Sequence, residues 1–281
     1  MGERSTSPIV FPHYADGGGW TTQIVLVNST DEAAVGIAEF FSPGAQQLSY
    51  SIPPRSSTVL RTAGSAPAVQ TGWVRVSPNN GTRTPTGVLI FSLRQNGVTV
   101  SEAGVPSSPM STAFRLFVES IGNMSAGQIG SIQTGVALVN PSASPVQVTF
   151  ELSNLSGIST GLTGRTTIPA QGHAGLFMNE IAGLESALGM QGVLRITSPT
   201  PISLLGLRGH YNERGDFLMS TVPPSNETSP AATTNLYMPH FVDGGGYSTQ
   251  FILFSGSANQ SSSGTLRFFS QSGQPLSLSL H

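Results

Sequence analysis

The feature that most constrains this chain is that it repeats itself. Residues 12–28 read PHYADGGGWTTQIVLVN and residues 239–255 read PHFVDGGGYSTQFILFS, so that His13, Asp16 and Gln23 recur 227 positions later as His240, Asp243 and Gln250. Self-similarity at a long fixed period means one supersecondary unit used more than once, and it sets the architecture before any residue is interpreted. About halfway between the two strings, TGVALVNPS (134–142) matches TQIVLVNST (22–30), which marks a degenerate middle copy. The later part of that copy agrees as well: SIPPRSSTVL (51–60) with TIPAQGHAGL (167–176), GWVRVSP (72–78) with GVLRITSP (192–199), and SLRQNG (92–97) with GLRGHYNERG (206–215). Arg75 thereby pairs with Arg195, and Arg94 with Arg208.

A third copy begins near Leu236. It follows the first through FFSPGAQQLSYSI (40–52), which becomes FFSQSGQPLSLSL (268–280), and a counterpart of Pro53–Pro106 does not follow. Proline-rich, charge-poor stretches, VPSSPMST (105–112) and VPPSNETSPAATT (222–234), separate the copies as linkers do. The expected domains are therefore 1–110, 111–230 and an incomplete 231–281. A third reading is that the chain is an arbitrary fragment of a longer repeat protein, with the missing half out of frame.

QLSYSI and PLSLSL alternate apolar and polar residues, which puts Leu48, Tyr50 and Ile52, or Leu276, Leu278 and Leu280, on one face of a half-buried strand. QIVLVN, GVALVN and QFILF are short continuous apolar runs, as in a central strand covered on both faces. Further strands are expected at 34–42, 56–61, 72–77, 86–93 and 97–105, separated by turns drawn from 33 Gly and 20 Pro. Seven or eight strands per hundred-odd residues predict an all-β chain of tandem immunoglobulin-like antiparallel β-sandwiches, two full repeats plus a half repeat. The spacing of Ile181, Leu184 and Leu188 predicts one helix over 178–190, capped by Asn179.

Composition fits that reading and narrows the function. Charged residues are 9% of the chain, the net charge is −2, and all twelve basic residues are arginine. Such a balance gives nucleic acid little to bind. Polarity comes instead from 39 Ser and 26 Thr, as suits strands wet on one face. The absence of cysteine excludes disulfides and thiolate chemistry but leaves the redox compartment open. No apolar run reaches the length of a membrane span, and MGERSTSPIV has no signal-peptide h-region. Either export preceded residue 1 or the chain is cytosolic; missing Lys and Cys, with the repeats, favour an extracellular or cell-surface location.

The PH(Y/F)xDGGG(W/Y)xTQ(I/F)xL string with its LVN(S/P) strand resembles a tandem repeat of about a hundred residues found in large secreted proteins of environmental bacteria. The resemblance covers nearly the whole chain, with the central motif intact in copies one and three. It implies an extracellular structural or adhesive role beside other immunoglobulin-like modules, and it supplies no catalytic residues.

The residues themselves offer little chemistry. No GxSxG, HExxH, Walker loop or GxGxxG occurs, and without lysine there is no Schiff base. Neither enzyme activity nor a cofactor is expected. Asp16-Gly17-Gly18-Gly19 and Asp243-Gly244-Gly245-Gly246 are expected to be structural turns, with glycines at positive φ and an aspartate accepting backbone N–H groups. The rival reading, a Ca²⁺ site, has one carboxylate per loop where six to eight oxygens are wanted, so no metal is expected. His13 and His240 read as packing or hydrogen-bonding residues rather than metal ligands. Trp20 and Tyr247 are the candidate ligand-binding residues: exposed, they would stack on a sugar or anchor a partner, and buried, they would pack over the turn. The recurring arginines read as solvated or paired charges. Six Asn-x-Ser/Thr triplets, at Asn28, Asn80, Asn123, Asn154, Asn226 and Asn259, read as chance in so hydroxyl-rich a chain.

The expected function is a non-enzymatic extracellular structural protein, a filament or surface-layer subunit. It would be a homopolymer whose third copy assembles head-to-tail, with Leu276, Leu278 and Leu280 as the apolar face and Gly2–Val10, including Ile9 and Val10, as one donor strand. The alternative is a cell-surface adhesin recognising a glycan or a surface protein through Trp20 and Tyr247.

Overall fold

The computed structural model describes residues 6–41, 46–79, 81–229, 235–255 and 262–278. The chain is all-β and antiparallel, and among the described residues it contains no α-helix. It divides into two units, Met1–Thr228 and Ser229–His281.

In the first unit, β1 (Ile9–Asp16), β6 (Gln70–Pro78), β3 (Ala34–Phe41) and β4 (Gln46–Ile52) form one sheet in that order. β5 (Ser57–Arg61), β2 (Trp20–Val27), β7 (Thr86–Gln95) and β8 (Val98–Pro106) form a second. The inward residues of both, among them Phe11, Ile24, Leu26, Phe40, Tyr50, Ile52, Val74 and Phe91, make one core. The same orders return in the next stretch of chain. β9 (Met110–Ile121), β14 (Met190–Tyr211), β11 (Val146–Asn154) and β12 (Ser159–Ile168) repeat β1-β6-β3-β4. β13 (His173–Phe177), β10 (Ile132–Val139), β14 again and β15 (Phe217–Val222) repeat β5-β2-β7-β8. A two-residue strand, β16 (Ser225–Asn226), pairs with β9.

One strand serves both sheets of copy two because β14 runs unbroken where copy one has the loop between β6 and β7. Its register against β9 shifts between Thr197 and Ile202, across Pro199 and Pro201. Proline lacks the ladder donor and is accommodated at such a bulge.

The β2 run is not covered on both faces: Ile24 and Leu26 are buried, but Val25 is half-buried and Val27 exposed. The matching β10 is buried on both faces from Val136 to Val139, because copy one packs on its outer side. The expected helix over 178–190 is replaced by a single 3₁₀ turn, Met178–Glu180, and successive tight turns that bury Ile181, Leu184 and Ala187 while Leu188 stays exposed. Gly183 and Gly189 both sit at positive φ, which no continuous α-helix accommodates. Arg94 and Arg208 are not equivalent either, since Arg208 faces Thr134 whereas Thr22, the counterpart of Thr134, faces Phe91.

The second unit holds the hairpin β17 (Phe268–Phe269) and β18 (Pro275–Leu276), closed by Ser270 N–H to Gln274 O, 2.8 Å. The expected strand QFILF does not form; strands matching β5 and β7, which flank β2, are what it would pair with. Three internal contacts of copy one nevertheless recur. Phe241 meets Phe268 edge-on at 5.4 Å, as Tyr14 meets Phe40. Thr249 Oγ1 donates to Val242 O and accepts from Val242 N, as Thr22 does with Ala15. The glycine turn, described next, is the third.

Candidate functional site

Gly17 and Trp20 exchange backbone hydrogen bonds across Gly18 and Gly19, which have φ of +59° and +93°. Positive φ at both central residues is the two-residue hairpin turn whose twist matches the flanking strands. Gly244 and Tyr247 close the same turn over Gly245 and Gly246, φ +63° and +89°. Asp16 Oδ1 accepts the N–H of Gly64 at 2.8 Å, a donor 48 residues away rather than one within the turn; Asp243 is exposed.

Just before this turn, copy one spends an extra residue. From Phe11 to Tyr14 the partner strand advances only from Val74 to Gly72, a bulge at Pro12-His13 that β9 lacks. His13, in this bulge, lies between the core of copy one and copy two. There His13 Nδ1 lies 3.3 Å from His173 Nε2, and the His13 ring stands edge-on to Phe91. Burial pushes the His13 pKa down to about 4; His173, lowered to about 3 by burial and then by His13, is likewise neutral at physiological pH. Beside them is a cavity of about 300 Å³ whose wall includes Ala15, Trp20, Phe177, Leu207, Phe217 and Met219.

The rest of this face is closely fitted. Val10, Trp73 and Val139 form a cluster with Phe41, whose ring stacks on Trp73 at 3.9 Å. Trp73 Nε1 donates to Gln171 O of copy two at 3.0 Å. Ala137, Leu205 and Leu207, on the outer face of copy two's sheet, belong to copy one's core cluster. Ser101 Oγ accepts from Met219 N at 2.7 Å, and Ser108 Oγ donates to Leu204 O at 2.8 Å.

The structure therefore separates the two candidate aromatics. Trp20 is buried in copy one's core cluster, its ring 5.4 Å from Phe91, and Tyr247 is exposed. Ile9 and Val10 are not a free donor strand: they pair with Val76 and Arg75 in their own sheet, and Val10 is buried. Residues 2–5 of the proposed donor lie outside the described residues, as does Leu280. Leu276 is exposed and Leu278 half-buried. Arg75 pairs with Glu39 at 2.7 Å, Arg195 with Glu227 at 3.0 Å and Glu151 at 3.3 Å, and Arg208 with Glu119 at 2.8 Å; Arg94 donates to Gly97 O. Among the described residues no group of three or more His, Asp or Glu side chains is placed to hold a metal ion. No helix among them is long and apolar enough to cross a membrane.

Two anchors escaped the sequence reading. Asn28 and Asn140, both buried, make the same bonds: each Nδ2 donates to three carbonyls, those of Glu32, Ile52 and Pro53, or of Ser144, Ile168 and Pro169. Each Oδ1 accepts from the residue two positions on, Thr30 or Ser142. Asn154 and Asn226 likewise accept from Ser156 and Thr228. The triplets at these positions thus follow from Asx-turn chemistry rather than chance. The recurring LVN string was the signal that could have identified Asn28 and Asn140.

Compared with protein-family models, with curated proteins and with solved structures, the chain finds no match in any of the three.

Proposed function

We propose that this chain is a non-enzymatic structural protein of the cell exterior, assembling head-to-tail into a filament or surface layer through its third copy. The observation that carries the reading is a contrast between equivalent positions. Val10, Phe11, Trp20 and Leu26 are buried at 8%, 0%, 9% and 0%, and their counterparts Tyr237, Met238, Tyr247 and Leu253 are exposed at 86%, 44%, 71% and 59%. Apolar surface gains about 25 cal/mol per Å² on burial, so four such side chains favour a cover strongly. The suspected kinship with secreted bacterial repeat proteins points the same way. Catalysis has little to build on in the cavity region, where His13 and His173 are both neutral and, among the described residues, no carboxylate is hydrogen-bonded to either.

The adhesin reading asks for exposed aromatics on a common face, and burial of Trp20 in copy one's core cluster counts against it. The test is the size distribution of the intact chain against one ending at Thr234. Assembly is expected to grow with concentration for the first and to vanish for the second; large particles that persist without residues 235–281 would overturn the proposal.

A further inference from the structure

Copy one rests on copy two through two complementary faces, and each recurs elsewhere in the chain. Copy one touches copy two through Val10 and His13 of the bulged β1, and Ala15 and Trp20, beside and after the turn, line the cavity between the copies. The face copy two presents is the outer side of β13-β10-β14-β15, at Ala137, Val139, His173, Gly175, Leu205 and Leu207. Strand registers map this second face residue by residue onto copy one. Val136 opposite Gly206 and Leu176 corresponds to Ile24 opposite Leu89 and Leu60, so Ala137, Gly175 and Leu205 correspond to Val25, Val59 and Val88. By the same registers Val139, His173 and Leu207 correspond to Val27, Ser57 and Ile90.

On copy one this sheet face is uncovered. Val27 and Val59 are 41% and 38% exposed, and Val25, Val88 and Ile90 are half-buried. Of the five matching positions of copy two, Ala137, Val139, Leu205 and Leu207 are covered by a second sandwich, and Gly175 lines the cavity beside it. At the matching Gly175 a built Cβ meets the His173 ring at 3.4 Å and the His13 ring at 3.7 Å, so Val59 marks the position that lies directly under the covering imidazole.

The first face recurs in copy three. Tyr237, His240, Val242 and Tyr247 stand where Val10, His13, Ala15 and Trp20 stand, the glycine turn has the same hydrogen bonds and the same signs of φ, and the threonine bond pair is preserved. Copy two cannot present this face. It lacks the Pro-His bulge, and its corresponding strand carries Arg115 and Glu119, tied to Glu227 and Arg208.

We infer that copy three of one chain docks on the outer face of β5-β2-β7 in copy one of a second chain, reproducing in trans the contact copy one makes with copy two. The inference rests on the assembly reading above and specifies its surfaces and its partner, a second copy of this chain. Ser57 takes the place of His173 and offers its hydroxyl to the imidazole of His240, while Tyr247 lies over Val59 and Ile90. One chain thus carries both faces, and the contact is heterologous, so addition continues from chain to chain unless the rotation closes a ring.

Two exposed positions allow a test in the full chain without disturbing either core. Tyr247→Asp spoils the copy-three face and Val59→Asp the copy-one face. The wild-type chain is expected to assemble with rising concentration in sedimentation velocity. Each variant alone should need a roughly tenfold or greater concentration to do so. Mixed in equal amounts, the two variants should stop at a dimer, because the intact copy three of Val59→Asp fits only the intact copy one of Tyr247→Asp. Assembly of both variants at wild-type concentrations, with loss of assembly when copy three is removed, would overturn the docking surfaces and leave the assembly reading standing. A wild-type chain of 29.2 kDa at every concentration would overturn both. A change of shape without change of mass in either variant would place the contact within one chain and overturn the inference.

Discussion

Acidifying the protein tests whether His13 and His173 are the neutral, buried centre of the contact between copies one and two. His13 binds its proton at about pH 6.5 when unfolded and at about 4 when folded. Above pH 6.5 both states are neutral and the histidine contributes no pH dependence. Between the two values the unfolded chain holds a proton that the folded one does not, so stability falls as pH falls, and below about 4 the loss is complete. At about 1.4 kcal/mol per tenfold change in proton affinity, this amounts to about 2.5 kcal/mol by pH 4.5 and about 3 kcal/mol in full. His173, whose pKa is lowered to about 3, extends the loss to lower pH. The pair shares one site, so the two contributions do not add. The assay is denaturant unfolding at about pH 7.5 and 4.5, for the wild type and for His13→Gln and His173→Gln separately and together. Carboxylates titrate alike in all four proteins, so the difference between them belongs to the histidines. The double variant should lose about 2.5 kcal/mol less than the wild type on acidification. Equal losses in wild type and double variant would refute the reasoning.

Asn28→Ala or Asn140→Ala removes one buried side chain; Glu32 O and Pro53 O, or Ser144 O and Pro169 O, keep a second donor, but the carbonyl of Ile52 or Ile168 and the N–H of Thr30 or Ser142 lose the asparagine, and each variant is expected to cost about 1 to 3 kcal/mol, read as a shift in unfolding midpoint. Asn28→Asp, which keeps the acceptor but not the donor, should recover little of it. Gly17→Val and Gly244→Val both force a side chain to φ of +80° or +94°, a strain of about 1 to 3 kcal/mol. Only at Gly17 does a Cβ also strike backbone, the carbonyl of Ala68 at 2.5 Å, so Gly17→Val should be the more damaging by circular-dichroism melting, and the reverse order would contradict the geometry.

Most strand positions of residues 1–110 were legible because local chemistry fixes them. The alternation of QLSYSI buries Tyr50 and Ile52 as its period requires, and three successive glycines made the hairpin turn readable. What depends on a partner far along the chain was not legible. His13 and His173 are 160 residues apart, and nothing near either predicts the other. The β2 run and the β10 run are almost the same sequence, yet only β10 is covered on both faces, because burial of its outer side is decided by which copy sits against it. Residues 178–190 misled through spacing alone: repeated three-residue turns bury one side chain each, which imitates the helical period. The role of Val10 was obscured in the same way, since a terminal apolar segment reads as spare until its pairing with β6 is seen.

The head-to-tail contact can be addressed chemically because the chain has no cysteine of its own. Ser57→Cys and His240→Cys occupy the positions matching His173 and His13, the pair in contact between copies one and two. With a short thiol-to-thiol cross-linker, a chain carrying both substitutions should give a ladder of covalent multimers on a denaturing gel, and a mixture of the two single variants should stop at the dimer. A double variant that remains monomeric, or that cross-links only within one chain, would contradict the account.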